Sequence, residues 1–514
     1  MWITCLKFRR NCENTHFIKL AGIKQNLPFG TDIIQGSLTK KFNVLYEQIY
    51  GNRLVDKLMN KSYKFFTFRS NGDLLYRINA RGMIKDALLL KMVPSFISLC
   101  TIILVLVFLF CKSIFLGFIL LAAIIIYLLA YIGISKISYL ESNKYTQKVI
   151  QLNTTSENII RTVSTIKVLD VGKIFMEKWH SENEVQADCY GQLVIIQSIQ
   201  NVLTNIFTYI MPIVLSIVNI LCNKDDNIFS QMALLPLLYL VVQNVVTIGQ
   251  AFNSVYTVLP NIDKAAELLD EKFMQDKERK FATLEKDQEI LVKDMSYHYG
   301  SVKCLEKVNL KITKGKKYAV IGISGSGKST LLKILANLLN DYQGEVVFNS
   351  NNLDKPIYLD QDTSILDGSI LENVLFGQQC TSERLEMISE AIGLNEILNR
   401  QLQSWGTEIS KGKNLSRGQE QRVCLARCLI KDAGIYLLDE ATSNIDVVDE
   451  EKIMNNLIGQ NGVLKNKTVF ISTHKLSMVD YVDEVLYIKD GTVYQGTHNQ
   501  LLKEIPSYVT FFER

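Results

Sequence analysis

Three long stretches of the chain are nearly free of charge. Between Lys91 and Lys136 the only ionised side chain is Lys112, and none at all occurs between Asp188 and Lys224 or between Asp226 and Asp263. Each stretch exceeds the ~20 apolar residues that carry a helix across a hydrocarbon core. Together they predict membrane spans at 92–111, 114–134, 193–222 and 228–260. The segment between the second and third spans is polar, yet it keeps helical periodicity and has few breakers. Both spans are therefore expected to run on as helices into the aqueous phase and to meet there in a turn. Residues 1–61 hold no apolar run of span length, a charged linker occupies 271–289, and an α/β domain fills 290–514. The membrane domain is thus expected at 62–270.

The last two spans are not uniformly apolar. Gln197, Asn201, Asn205, Thr208, Pro212, Ser216 and Asn219 recur at three- and four-residue steps, as do Gln243, Thr247, Gln250, Ser254 and Thr257. Each set marks one helix face. Such a stripe avoids lipid either by hydrogen bonding between helices or by lining a pathway. It holds no ionised group, so a pathway of this kind suits large cargo of mixed polarity better than an inorganic ion.

Composition agrees with a membrane protein of more than one domain: 514 residues, 48% hydrophobic, with a mean hydropathy of +0.11. The net charge of +4 is small for this length and points to neither a nucleic-acid partner nor an acidic substrate. Lys144, Lys148, Arg161, Lys167, Lys173 and Lys178 crowd the polar segment, whereas the short loops at 112–113 and 223–227 carry one lysine each. The positive-inside rule then places that segment, both termini and the α/β domain in the cytoplasm. The ten cysteines are scattered without a Cys-x-x-Cys pair and read as reduced structural thiols. Residues 1–25 are broken by Lys7, Arg9, Arg10, Glu13 and Lys19 and form no secretory signal.

Candidate chemistry concentrates in the α/β domain. Gly322-Ile323-Ser324-Gly325-Ser326-Gly327-Lys328-Ser329 lies between a β-rich run and a helix-favouring run that begins at Thr330. Glycines let successive N–H groups turn toward a polyphosphate, Lys328 reaches the β- and γ-phosphates, and the Ser329 hydroxyl is placed to ligate Mg2+. Downstream, Ile435-Tyr436-Leu437-Leu438 is an apolar strand ending in Asp439 and Glu440. Asp439 can hold Mg2+ through water, and Glu440 can polarise the attacking water. Leu415-Ser416-Arg417-Gly418-Gln419 precedes a helical run and reads either as an anion clamp at a helix start or as a plain N-cap.

With Tyr299, Gln361, 443–446 and His474, these elements, in this order, resemble the ATPase domain of ABC transporters. The resemblance implies that Tyr299 stacks on adenine and that Gly322, Ser324, Gly325, Ser326, Gly327, Lys328, Ser329 and Thr330 bind the phosphates of ATP. It further implies that Gln361 touches Mg2+ beside Ser329 and Asp439. Glu440 would be the catalytic base and His474 the switch histidine, while 443–446 would be the D-loop. Ser416, Gly418 and Gln419 would belong to the signature that closes over the ATP of a second subunit, identical or different, with Arg417 standing where the family usually has Gly. Lys411 stands where exporters commonly carry Glu.

Residues 66–88, with Arg69, Gly72-Asp73-Leu74 and Arg77, look like the first cytoplasmic loop of exporters that fuse membrane and ATPase domains in one chain. Residues 157–179 look like the second, with 164–169 as a coupling helix. Bacterial exporters of bacteriocin-like peptides are the most similar, on 66–77 and 414–422. The implied fold is an α-helical transmembrane domain followed by an α/β P-loop ATPase domain. Four spans are visible where the family has six, so the first two helices are expected to be lacking. The implied activity is ATP-driven export of a peptide or other amphipathic substrate across the cytoplasmic membrane by a half-transporter embedded in the lipid bilayer. The alternative is a membrane-anchored nucleotide-binding remnant or regulatory partner with no transport of its own.

Overall fold

A computed structural model describes residue 37 and residues 40–67, 69–222, 234–270, 279–285, 287–350, 354–362, 364–399, 401, 403–410 and 414–512. Lys411, the loop at 223–227, the start of the fourth predicted span and 271–278 of the linker lie outside the described residues. The chain divides into two compact units, one within Met1–Lys61 and Phe65–Met274 and the other within Ser62–Lys64 and Gln275–Arg514.

The first unit is helical. Its elements are α1 (Asn52–Met59), the last three residues of α2 (Tyr63–Thr67), α3 (Asn71–Asp86), α4 (Val93–Lys112), α5 (Ile114–Arg161), α6 (Val163–Val168), α7 (Gly172–Cys222) and α8 (Leu234–Leu269). Four helices among the described residues are long and apolar enough to cross a membrane. A single residue, Ser113, separates α4 from α5, and its hydroxyl caps α5 by accepting from the Leu116 N–H. The 48 residues of α5 would extend roughly 70 Å, more than twice a ~30 Å hydrocarbon core. Its polar end therefore continues past the membrane, and α6 forms the turn before α7, at the position of the expected coupling helix. The apolar core of this unit joins Leu109, Leu116, Leu120, Ile124, Leu215, Leu238, Val241 and Val245.

The polar stripes resolve into two behaviours. Several of their hydroxyls bond back to their own helix: Ser216 donates to the Pro212 carbonyl at 2.8 Å and Thr247 to Gln243 at 3.0 Å. Residues off the stripes also bond between helices, as Ser142 of α5 does in donating to the Thr257 carbonyl of α8 at 2.8 Å. Buried Gln200 donates to Ser135 Oγ at 3.2 Å and to Asn253 Oδ1 at 2.9 Å, joining α5, α7 and α8. Gln197, Asn201 and Asn205 stay exposed on α7.

The second unit is α/β. A four-stranded sheet runs in the order β1 (Lys280–Ala282), β5 (Gln343–Asn349), β2 (Gln288–Tyr299), β3 (Val302–Thr313). A six-stranded sheet runs in the order β12 (Thr492–Gly496), β11 (Glu484–Lys489), β4 (Lys317–Ile321), β10 (Thr468–Ser472), β9 (Ile435–Asp439), β6 (Ile357–Leu359). Its strands are parallel except β12. Every residue of β4, β9 and β10 is buried, as expected for strands covered on both faces. The short pair β7 (Gly368–Ser369) and β8 (Glu408–Ile409) forms a separate ribbon.

Register positions the site. Ser472 at the end of β10 pairs with Val320 on one side and with Asp439 on the other, while Leu359 of β6 pairs with Leu438. The chain therefore leaves β4, β10, β9 and β6 side by side at one edge, the carboxyl end of the parallel strands, where open α/β sheets bind ligands.

Candidate nucleotide-binding site

The segment leaving β4 turns through Gly322 to Gly327 into α9 (Lys328–Leu335), so the helix begins at Lys328, two residues earlier than the sequence pattern suggests. Gly327 has φ +107°, which an L side chain would resist, and a Cβ on Gly322 would come within 2.5 Å of the Ile488 carbonyl. Lys328 curls over its own loop, donating to the Gly322 carbonyl at 3.0 Å and to the Ile323 carbonyl at 3.1 Å. Burial lowers its pKa, opposed by the negative charges of Glu440 and Asp439. The buried Oγ of Ser326 has no hydrogen-bond partner. Ser324 and Gly325 are exposed on the loop, and Ser329 and Thr330 fall in the first turn of α9.

Asp439, 1% exposed, ends β9. Its Oδ1 accepts the Ser472 hydroxyl and its Oδ2 the Tyr358 hydroxyl, the latter at 3.0 Å. Glu440 follows at φ +49°, a costly backbone region for a non-glycine residue. Its N–H donates to the Ser472 carbonyl at 3.2 Å and to the Ser472 hydroxyl at 2.9 Å. The Glu440 carboxylate is held at both oxygens. His474 Nε2 lies 2.6 Å from Oε1, and Gln361 Nε2 donates to Oε2 at 2.7 Å. All three residues expected to be catalytic thus meet at one carboxylate.

Ser416 caps α10 (Arg417–Ile430). Its Oγ accepts from the Gln419 N–H at 3.3 Å, and Gln419 Oε1 accepts from the Ser416 N–H at 2.9 Å, the reciprocal pattern of a capping box. A Cβ on Gly418 would lie 2.6 Å from the Asn444 carbonyl, so the glycine admits the 443–446 segment. Tyr299 closes β2 with its ring exposed, edge-on to Tyr297 at 5.0 Å.

Other residues of this site escaped the sequence pattern. Gln421 donates to the Glu440 carbonyl at 2.7 Å and accepts from the Asn444 N–H at 3.0 Å, tying α10 to both segments. Glu450, buried on α11 (Val447–Ile458), accepts from the Thr442 hydroxyl at 2.6 Å and pairs with Lys475, the neighbour of His474. Tyr358, three residues before Gln361, carried no signal beyond its place in a short strand.

The comparisons with known proteins agree with this geometry. Residues 305–443 match the family model described as ABC transporter, and residues 33–259 match that of the ABC transporter transmembrane region. The lacticin-481/lactococcin-DR transport/processing ATP-binding protein of Lactococcus lactis subsp. lactis is 27% identical, over 90% of this chain and 67% of the relative. The pediocin PA-1 transport/processing ATP-binding protein of Pediococcus acidilactici is 28% identical, over 88% of this chain and 64% of the relative. The transport/processing ATP-binding protein ComA of Streptococcus pneumoniae serotype 4 is 28% identical, over 86% and 63%. The chain thus spans about two thirds of the length of the curated relatives it matches. The structure of a bacterial Atm1-family ABC exporter with ATP bound shares the fold at a TM-score of 0.80 and 18% identity, covering 94% of this chain and 86% of that one. With membrane spans in one unit, a P-loop site at the sheet edge of the other and a family model matching each, the chain belongs to the ABC transporters and joins their transmembrane region and ATP-binding domain in one polypeptide.

Proposed function

We propose that this chain is half of an ATP-driven exporter that pairs with a second subunit in the cytoplasmic membrane and moves a bacteriocin-like peptide or another amphipathic molecule outward. One observation carries the ATPase part: Glu440 presents a carboxylate gripped by Gln361 and His474 at the sheet edge where the Lys328 loop ends β4. On this reading Glu440 is the base that polarises the attacking water, and His474 and Gln361 hold it. The relatives named for transport of lacticin-481, lactococcin-DR and pediocin PA-1 support the peptide cargo. The domain limits expected from the sequence are kept as part of the proposal.

The residues present fit ATP and Mg2+. Ser326 offers an unpartnered hydroxyl inside the loop, and Lys328 has only carbonyls to release before it meets phosphate. Ser329 supplies a hydroxyl, Asp439 a carboxylate and Gln361 an amide oxygen, all hard donors. Among the described residues no cluster of three or more His, Cys, Asp or Glu could hold a metal by itself. Mg2+ binds through few protein groups together with water and phosphate oxygens, and the three donors named are of that kind. When bound, the ion neutralises charge on the phosphates.

Ser416, Gly418 and Gln419 would close over the nucleotide of the second subunit, presenting a hydroxyl and N–H groups at the positive end of α10. Tyr299 would stack on the base, and α6 would pass the motion to the membrane helices. Exposed Gln197, Asn201 and Asn205 are costly against lipid, which favours a face turned to a second subunit or a wet pathway.

Reconstituted full-length protein tests this. The expected result is Mg2+-dependent phosphate release and ATP-dependent accumulation of a bacteriocin-like peptide inside inverted vesicles. Hydrolysis without accumulation of any peptide would reduce the chain to a nucleotide-binding partner. Absence of both would overturn the reading.

A further inference from the structure

The geometry points to Tyr358 as a positioning residue for Asp439, setting the carboxylate that faces the metal. This rests on the assignment of Asp439 to the metal proposed above. Asp439 stands on β9 between β10 and β6, and at 1% exposure each carboxylate oxygen needs a hydrogen-bond donor. The two donors come from the two flanking strands. Ser472, its register partner on β10, supplies Oδ1, and Tyr358 on β6 supplies Oδ2 at 3.0 Å. Hydroxyls on opposite sides thereby fix the plane of the carboxylate.

Tyr358 has one proton and two carboxylates in reach. Its hydroxyl lies 3.0 Å from Asp439 Oδ2 and 3.3 Å from Asp360 Oδ1. Asp360 has other donors: its Oδ1 accepts the Gln361 N–H at 2.9 Å, and its Oδ2 lies 3.6 Å from Lys333 Nζ. Asp439 therefore has the greater need of the phenolic proton. The ring is steadied as well, with Lys333 Nζ 5.9 Å from its centroid. Residues that orient a metal ligand from behind, without touching the metal, typically matter by about 10–100-fold in metal affinity or activity.

The test uses full-length protein, a non-hydrolysable ATP analogue and Mn2+ followed by electron paramagnetic resonance. Tyr358→Phe is expected to weaken Mn2+ binding to the analogue-loaded protein by about 10-fold. Analogue affinity in EDTA should stay within about twofold, because no phosphate contact is lost. Ser472→Ala should lose Mn2+ affinity in the same direction, and the double variant should lose less than the sum, since both act through one carboxylate. Unchanged Mn2+ affinity in Tyr358→Phe would overturn the proposal. An equal loss of analogue binding in EDTA would also overturn it, by showing that the tyrosine merely supports the fold. If the parent protein itself takes up no Mn2+ with the analogue, the assignment of Asp439 fails, and the role of Tyr358 fails with it.

Discussion

Nε2 of His474 lies 2.6 Å from Oε1 of Glu440, and the second oxygen of that carboxylate is taken by Gln361 at 2.7 Å. Each oxygen of the proposed base thus holds one partner and keeps a further lone pair that can accept from a water. Glu440→Gln keeps the shape of this site but removes the basic oxygen. Turnover should fall by at least about 100-fold, the ordinary scale for losing a general base, while nucleotide affinity is retained. Phosphate release and equilibrium nucleotide binding, measured on the same preparation, check it. Equal turnover in both proteins would remove Glu440 from the chemistry.

Lys328 is expected to fail differently. Its ammonium rests on the Gly322 and Ile323 carbonyls at 3.0 and 3.1 Å, bonds that phosphate oxygens would replace. Lys328→Ala should weaken analogue binding by about 10-fold or more even in EDTA, because a charge-assisted contact to phosphate is lost, worth about 1.5–3 kcal/mol. The contrast with Tyr358→Phe separates phosphate from metal recognition. Full binding with slow turnover would contradict this placement of the lysine.

What could be read from the sequence was local or repetitive. The loop at 322–329 is contiguous, β9 is an apolar run ending at Asp439, and the spans stand out because charge is absent from them. A cap at Ser416 is one of the two readings its segment allows, and Ser416 does cap α10. The contacts of Tyr358 with Asp439 and of Gln200 with Ser135 could not be read, since they cross 81 and 65 residues of chain and depend on sheet register and helix rotation. The stripe hydroxyls misled for a related reason. A serine or threonine in a helix can bond to the carbonyl a turn back, so its polarity does not disclose a neighbour.

Arg77 holds α3 to α8. It is 5% exposed and donates to Asp73 at 2.8 Å, to Glu267 at 2.6 Å and to the Lys264 carbonyl at 3.1 Å. Arg77→Met would strand the Asp73 carboxylate inside the unit, whereas Glu267, 45% exposed, can turn to water and the Lys264 carbonyl keeps its place in the α8 ladder. A loss of about 1–3 kcal/mol is expected, seen as a lower thermal midpoint in detergent. Glu267→Gln should cost less than Arg77→Met, since the arginine keeps its other acceptors. The reverse ranking would mean that the Glu267 pair dominates this contact.

Cysteine reactivity reports on the packing of α10, where Cys424 and Cys428 are both buried. Burial pushes the Cys428 thiol up to about 12, with Cys424 adding to the shift, and burial raises Cys424 as well. At pH 8 Cys428 therefore stays a thiol, while the thiolate is the reactive form. Cys380 is partly exposed. A maleimide at pH 8 should therefore label Cys380 in the folded protein but leave Cys424 and Cys428 untouched until denaturant is added, as read by peptide mass spectrometry. Raising the pH speeds every thiol that is still protonated, so the order of labelling should hold at pH 9. Labelling of Cys428 at the rate of Cys380 without denaturant would show that α10 is not seated against its core, and the capping geometry of Ser416 would lose its support with it.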